Sequence, residues 1–143
     1  MVTIFAPGPL RPVHPLHAIL LAFPFPLFLC ALLSDCAYRS SFHVQWANFS
    51  SWLITGGVFV GGFALLWSLA NLFLYGPARR GRPVVYFGVL LAMWILGIVN
   101  ALIHAKDAWA TMPEGLYLSA IVTLLALVAA WIGYSGFRTG EMK

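Results

Sequence analysis

Charge is what this chain has least of. Of its 143 residues four are acidic and eight are Lys or Arg, 8% in all, where soluble domains carry roughly a quarter. With 62% hydrophobic residues, that excludes a soluble globular domain and leaves a polytopic membrane protein. Cysteine is almost as scarce. Cys30 and Cys36 stand six apart around the end of one apolar run, on different faces of a helix, so they are expected to be free thiols and not a disulfide framework. The chemistry-bearing spacings are missing too: the sequence has no CxxC, HExxH or HxxxH, no phosphate-cradling glycine loop, no paired carboxylates and no nucleophile beside a base. Catalysis of the kind soluble enzymes perform is therefore not expected, and the reading is that the chain is not an enzyme. The formal charge of +4 comes from basic residues flanking apolar spans and not from a basic helix face, which argues against nucleic acid as a partner.

What the sequence does have is apolar length. Residues 14–35, HPLHAILLAFPFPLFLCALLSD, are about as long as a helix needs to cross a bilayer. Pro24 and Pro26 in its middle each remove a backbone donor, which predicts a kink and carbonyls that need partners from neighbouring helices. Residues 38–50 read as a polar and aromatic connector lying on the membrane surface, with Trp46, Phe49 and Trp52 at headgroup level. Further spans are expected at about 51–75, 83–104 and 115–137. In the second, TGGVFVGG places Gly57 and Gly61 a GxxxG step apart, flanked by Gly56 and Gly62, which reads as a helix-packing face. Pro113 and Glu114 open the fourth span as a first-turn proline and an acid at a helix N-terminus.

The expected fold is thus an all-α membrane protein, one four-transmembrane-helix bundle covering residues 1–143. The opening MVTIFAPGPLRPV lacks a basic start, an apolar run and a small-residue cleavage site, so the first helix is expected to remain in the mature chain. Four spans put Arg11, Arg79, Arg80, Arg82, Arg138 and Lys143 on one side, against Arg39 and Lys106 on the other. The positive-inside rule then makes both termini cytoplasmic, in a bacterial inner membrane.

The candidate functional residues are polar groups in apolar surroundings. His14 and His17 share a face near the inner end, and inward-facing histidines of a membrane bundle are a common way to hold b-type haem. Histidines at helix ends also sit in the interface bonded to water, and that is the plainer reading. Asn71 stands at a depth similar to His17 and could bond its ring or a quinone head group, or make a helix contact. At the outer end, Asp35, Asn100, His104 and Asp107 read as a polar cluster tying the first loop to the third helix. A metal site from Asp35, His43, His104 and Asp107 would use three of these groups, but nothing in the spacing fixes its geometry and none is expected.

Read in order, RPVHPLHAILLAFPFPLF, SDCAYRSS, WANFSSWLITGG, NALIHAKDAW and MPEGLYLSAIVTLL resemble a family of small bacterial multi-pass membrane proteins catalogued as a domain of unknown function. The resemblance covers nearly the whole chain and puts the family's His on His17 and its Phe-Pro on Phe23 and Pro24. It implies an association with cytochromes and quinone-linked dehydrogenases, hence a membrane redox setting. Two positions depart from the pattern: the family's acid near the inner end of the second helix is Asn71, and its His at the start of the third is Tyr86. If that His were an axial partner of His17 across a haem, this chain lacks it. The departures favour a non-catalytic accessory or anchor subunit packed against other membrane subunits. The other reading is an electron-transfer subunit holding b-type haem or quinone near His17, Asn71 and Tyr86.

Overall fold

The computed structural model describes residues 14–74 and 81–135, with the side chains of Arg82 and Trp109 left aside. The first span is α1 (Pro15–Ala22) continued by α2 (Pro24–Ser41), 27 residues in all. The proline pair acts at Phe23, which keeps helical dihedrals of −79° and −41°, so the helix bends there without unwinding. The register recovers at once, with Leu27 N–H donating to Phe23 O at 3.2 Å. Near the bend, Ala18 O accepts from Tyr134 Oη at 2.8 Å, a bond from another helix to the first half of the span.

The structure corrects the expected surface connector at 38–50. α2 runs on to Ser41 and α3 (Val44–Leu74) starts three residues later, so only Phe42 and His43 lie between them. No glycine or proline occurs from residue 27 to residue 55, so nothing in the chain stops a helix there. The serines that look like loop residues bond back to the helix instead, Ser40 and Ser41 both to Ala37 O. The turn is made by Phe42 in the left-handed region, φ 55°, its N–H returning to Tyr38 O at 2.7 Å. At 31 residues α3 is about 46 Å long, well beyond the ~30 Å hydrocarbon core, so it must tilt or extend past that core at one of its ends.

The remaining elements are α4 (Arg82–His104), the single turn α5 (Ala108–Thr111) and α6 (Glu114–Ser135). The four apolar spans pack as a ring in which α2 lies against α3 and α6, and α4 lies against the same two; α1 packs on α3 and α6. Successive spans run antiparallel. Tyr75, residues 136 and 137, and the basic positions Arg11, Arg79, Arg80, Arg138 and Lys143 lie outside the described residues.

Phe28 of α2 fills the bundle axis, with Leu21, Ile54, Leu90, Met93 and Val122 around it. The glycine face of α3 is turned inward to receive these side chains. A β-carbon at Gly57 would stand 2.8 Å from Phe28 Cε1, and one at Gly61 would stand 3.1 Å from Met93 Cε and 3.8 Å from Pro24 Cγ. Gly62 faces Trp94, whose Nε1–H donates to Val58 O at 3.1 Å, while Gly56 only meets Leu27 at ordinary contact distance. In hydrocarbon, where burial alone stabilises little, such close fits and interhelical bonds carry the association.

Candidate functional site

Two polar groups of residues interrupt the apolar core, one at each end. The first is centred on Asp35, whose carboxylate is fully buried and points into the bundle from α2. Oδ1 lies 2.9 Å from His104 Nε2, on the last residue of α4, and Oδ2 accepts from Ser119 Oγ of α6 at 2.5 Å. Ser119 Oγ in turn accepts from Asn100 Nδ2 at 3.0 Å. The His104 ring is held from its other side by Asn100 O, 2.9 Å from Nδ1. The Ser51 hydroxyl of α3, whose shorter bond is to Ala47 O at 2.9 Å, also lies 3.4 Å from His104 O, so all four spans reach this cluster. Since α2 and α4 sit diagonally across the ring, the Asp35–His104 pair bridges helices whose backbones are not neighbours and which otherwise meet through the Phe28 side chain.

Room for the imidazole comes from Gly115, where a β-carbon would stand 2.8 Å from His104 Cε1. A second layer of hydroxyls lies around the cluster: Thr123 Oγ1 bonds Phe28 O and Ser119 O, and Ser50 Oγ bonds Ala31 O at 3.3 Å. One acceptor is left over, the buried Asn100 Oδ1, which has no hydrogen-bond partner. Although Ser, His and Asp meet here, the order is wrong for nucleophile activation. The carboxylate stands between the hydroxyl and the imidazole, so His104 cannot take the Ser119 proton.

Asp107, expected in this cluster, stands apart from it. It is exposed and precedes α5, where its carbonyl accepts from Ala110 N–H and Thr111 Oγ1. His43 is exposed at the tip of the α2–α3 hairpin. Of the four residues weighed as a metal site only Asp35 and His104 meet, and no group of three or more His, Cys, Asp or Glu assembles among the described residues. Ser119 was not singled out in the sequence. Its signal was there: a serine one turn before Thr123, on one face of an apolar helix.

The second group lies at the opposite end, around His17, which is 6% exposed. Its Nε2 is 3.2 Å from Tyr86 Oη of α4, and the indole of Trp67 on α3 stacks over its ring with centroids 5.8 Å apart. Trp67 also meets the exposed His14 ring at 5.0 Å. The absence of a side chain at Gly133 leaves space for Leu21 and the Tyr86 ring. His17 Nδ1 is buried without a partner. Asn71 is half-buried on α3 and does not bond the ring, since one ring nitrogen is bonded to Tyr86 and the other is unpaired. Trp67, the ring's nearest aromatic neighbour, went unnoticed in the sequence because a tryptophan near a span end reads as an interfacial anchor.

Between the two groups lie roughly five turns of helix filled by Leu21, Phe28, Leu90, Met93 and Val122, with no polar bridge among the described residues. Two surface grooves, of about 300 and 310 Å³, are lined by residues outside both groups.

No curated protein and no solved structure matches this chain. A family model described as "Predicted membrane protein (DUF2231)" matches residues 13–136, nearly the whole chain and all four spans. The chain belongs to that family, a membrane protein domain of unknown function.

Proposed function

We propose that the chain is a non-catalytic accessory or anchor subunit of a larger redox complex in a bacterial cytoplasmic membrane, with both termini on the cytoplasmic side. The observation that carries this reading is the use of α3. Its glycine face is spent on the chain's own core, while the opposite side carries exposed Trp52, Phe59, Phe63 and Phe73 along the helix. Phe59 and Phe63 already pair edge to face, a rigid aromatic surface suited to a neighbouring helix. The redox setting rests on the family resemblance, and the orientation on the balance of basic residues.

A second reading, an electron-transfer subunit, is favoured by the unpaired His17 Nδ1. A haem held between α1 and α4 does not fit these residues. Tyr86, at the position of the family's His, is in direct hydrogen-bond contact with His17, too close for a macrocycle to lie between them. A quinone carbonyl fits better, because Nδ1 can carry the proton it would accept while Nε2 accepts from Tyr86.

Purification from native membranes in a mild detergent, with an absorption spectrum, separates the two readings. The subunit reading expects co-migration at fixed stoichiometry with other membrane redox subunits, lost in Phe59→Ala/Phe63→Ala, and no Soret band from the isolated chain. A chain that purifies alone with a stoichiometric, reducible haem abolished by His17→Ala would overturn it. Stoichiometric quinone lost in the same variant would favour the electron carrier.

A further inference from the structure

The hydrogens of the Asp35 cluster can be counted, and the count leaves one unassigned. Asn100 O is a carbonyl and can only accept, so the His104 Nδ1 facing it at 2.9 Å carries a proton. Ser119 Oγ receives a hydrogen from Asn100 Nδ2, which directs its own proton to Asp35 Oδ2. The contact left is His104 Nε2 to Asp35 Oδ1, 2.9 Å, between two atoms that both bear lone pairs. It is a hydrogen bond only if one more proton lies in it, supplied either by a neutral carboxyl or by an imidazolium. With that proton the cluster is neutral. Without it, a carboxylate faces a bare ring nitrogen across a site where both side chains are 1% exposed, an arrangement that low-dielectric surroundings make costly.

We propose that Asp35 and His104 form a proton-binding site, one exchangeable proton joining the ends of α2, α4 and α6, and that its withdrawal opens this end of the bundle. The inference stands independently of the subunit reading. The position suits exchange with water, because His104 ends its helix and the exposed Lys106 and Asp107 follow directly. The apolar core beyond Phe28 closes the route toward the other end. Other titratable groups near the pair are few. On α2 they are the exposed Cys36 next to Asp35, the buried Tyr38, one turn beyond it, and the exposed Arg39; at the hairpin tip, the exposed His43; on α6, the exposed Glu114 and Tyr117; on the loop, Lys106 and Asp107. At this level α3 presents Ser50 and Ser51, and α5 presents Thr111.

Asp35→Asn isolates the exchangeable proton. An asparagine there can accept from Ser119 through Oδ1 and donate from Nδ2 to a neutral His104, reproducing both bonds with a hydrogen that does not titrate. Thermal unfolding of the full chain in nanodiscs should show the wild type losing more than about 4 °C as the pH is raised from neutral into the alkaline range. Asp35→Asn should stay level over the same range, and Asp35→Ala should melt low throughout. A wild type that stays level would overturn the proposal, as would an Asp35→Asn variant that falls in parallel with it, since a group outside the pair would then be responsible. Should Asp35→Asn not fold, ¹⁵N-histidine spectra of the wild type decide. One ring should keep its Nδ1 proton at every pH while its Nε2 signal moves, as pH rises, from that of a nitrogen bonded through the shared proton to that of an unbonded bare nitrogen. Loss of the Nδ1 proton instead, or no ring with a fixed Nδ1–H and a changing Nε2, defeats the proposal.

Discussion

Gly57 is the position on α3 where a single methyl group meets the least forgiving neighbour. Its virtual β-carbon overlaps the Phe28 ring at 2.8 Å, and that ring is wedged at the bundle axis with 1% exposure. At Gly61 the close atom is the terminal methyl of Met93, which can swing aside, and at Gly56 the Leu27 contact is already comfortable. Gly57→Ala should therefore destabilise by about 1–3 kcal/mol, as overpacking does. Gly61→Ala should cost less, and Gly56→Ala should be neutral or gain up to about 1 kcal/mol from helix propensity. Unfolding of the three variants in detergent would check the order; equal losses would mean that the glycines serve the backbone and not the Phe28 ring. The same contrast explains which site residues could be read in advance. Asp35 and His104 are conspicuous because ionisable groups are rare in spans, and Asn100 follows from its one-turn spacing to His104. That the pair would meet across the diagonal of the ring depends on packing angles that a linear spacing does not contain. Asp107 looked equivalent in the sequence and stands apart because it is exposed in the loop before α5, its carbonyl accepting from Ala110 and Thr111.

The prolines of the first span show how one element can hold two similar residues in opposite roles. Pro24 is buried and lies beside Gly61, whereas Pro26 is exposed toward the lipid. Pro24→Ala removes ring atoms from a packed contact and should destabilise; Pro26→Ala removes nothing from the core and returns an N–H able to bond Ala22 O. Measured as melting temperature, Pro26→Ala should equal or exceed the wild type and Pro24→Ala should fall below it. A drop for both would mean that the bend itself, and not the Pro24 contact, is what the bundle needs. The number and approximate position of the spans were legible because apolar runs of bilayer length leave few alternatives. The helical hairpin over 36–50 was not, because its serines and histidine resemble a loop in composition. The decisive clue was an absence, the lack of any glycine or proline to end the helix.

At the scale of the whole molecule the two polar groups occupy opposite ends of a sealed bundle, so its orientation decides which of them meets which compartment. By sequence, six basic residues fall before the first span, between the second and third, or after the fourth, and two fall in the remaining loops. In the orientation proposed from the positive-inside rule, the α2–α3 hairpin and the Asp35–His104 pair face the outer side. The proton held there would then exchange with the periplasm, while His17 and its unpaired nitrogen would face the cytoplasm. In a background carrying Cys30→Ala and Cys36→Ala, one cysteine at a time reports the side. Ser41→Cys, exposed at the hairpin tip, should react with a membrane-impermeant maleimide in intact spheroplasts, and Lys143→Cys only after lysis. The opposite pattern would reverse the assignment: the proton site would then sense the cytoplasm, and the excess of arginines would lie outside for a reason other than insertion. Labelling of both in intact cells would be incompatible with four spans, since an even number returns the two termini to one side and leaves the first loop on the other.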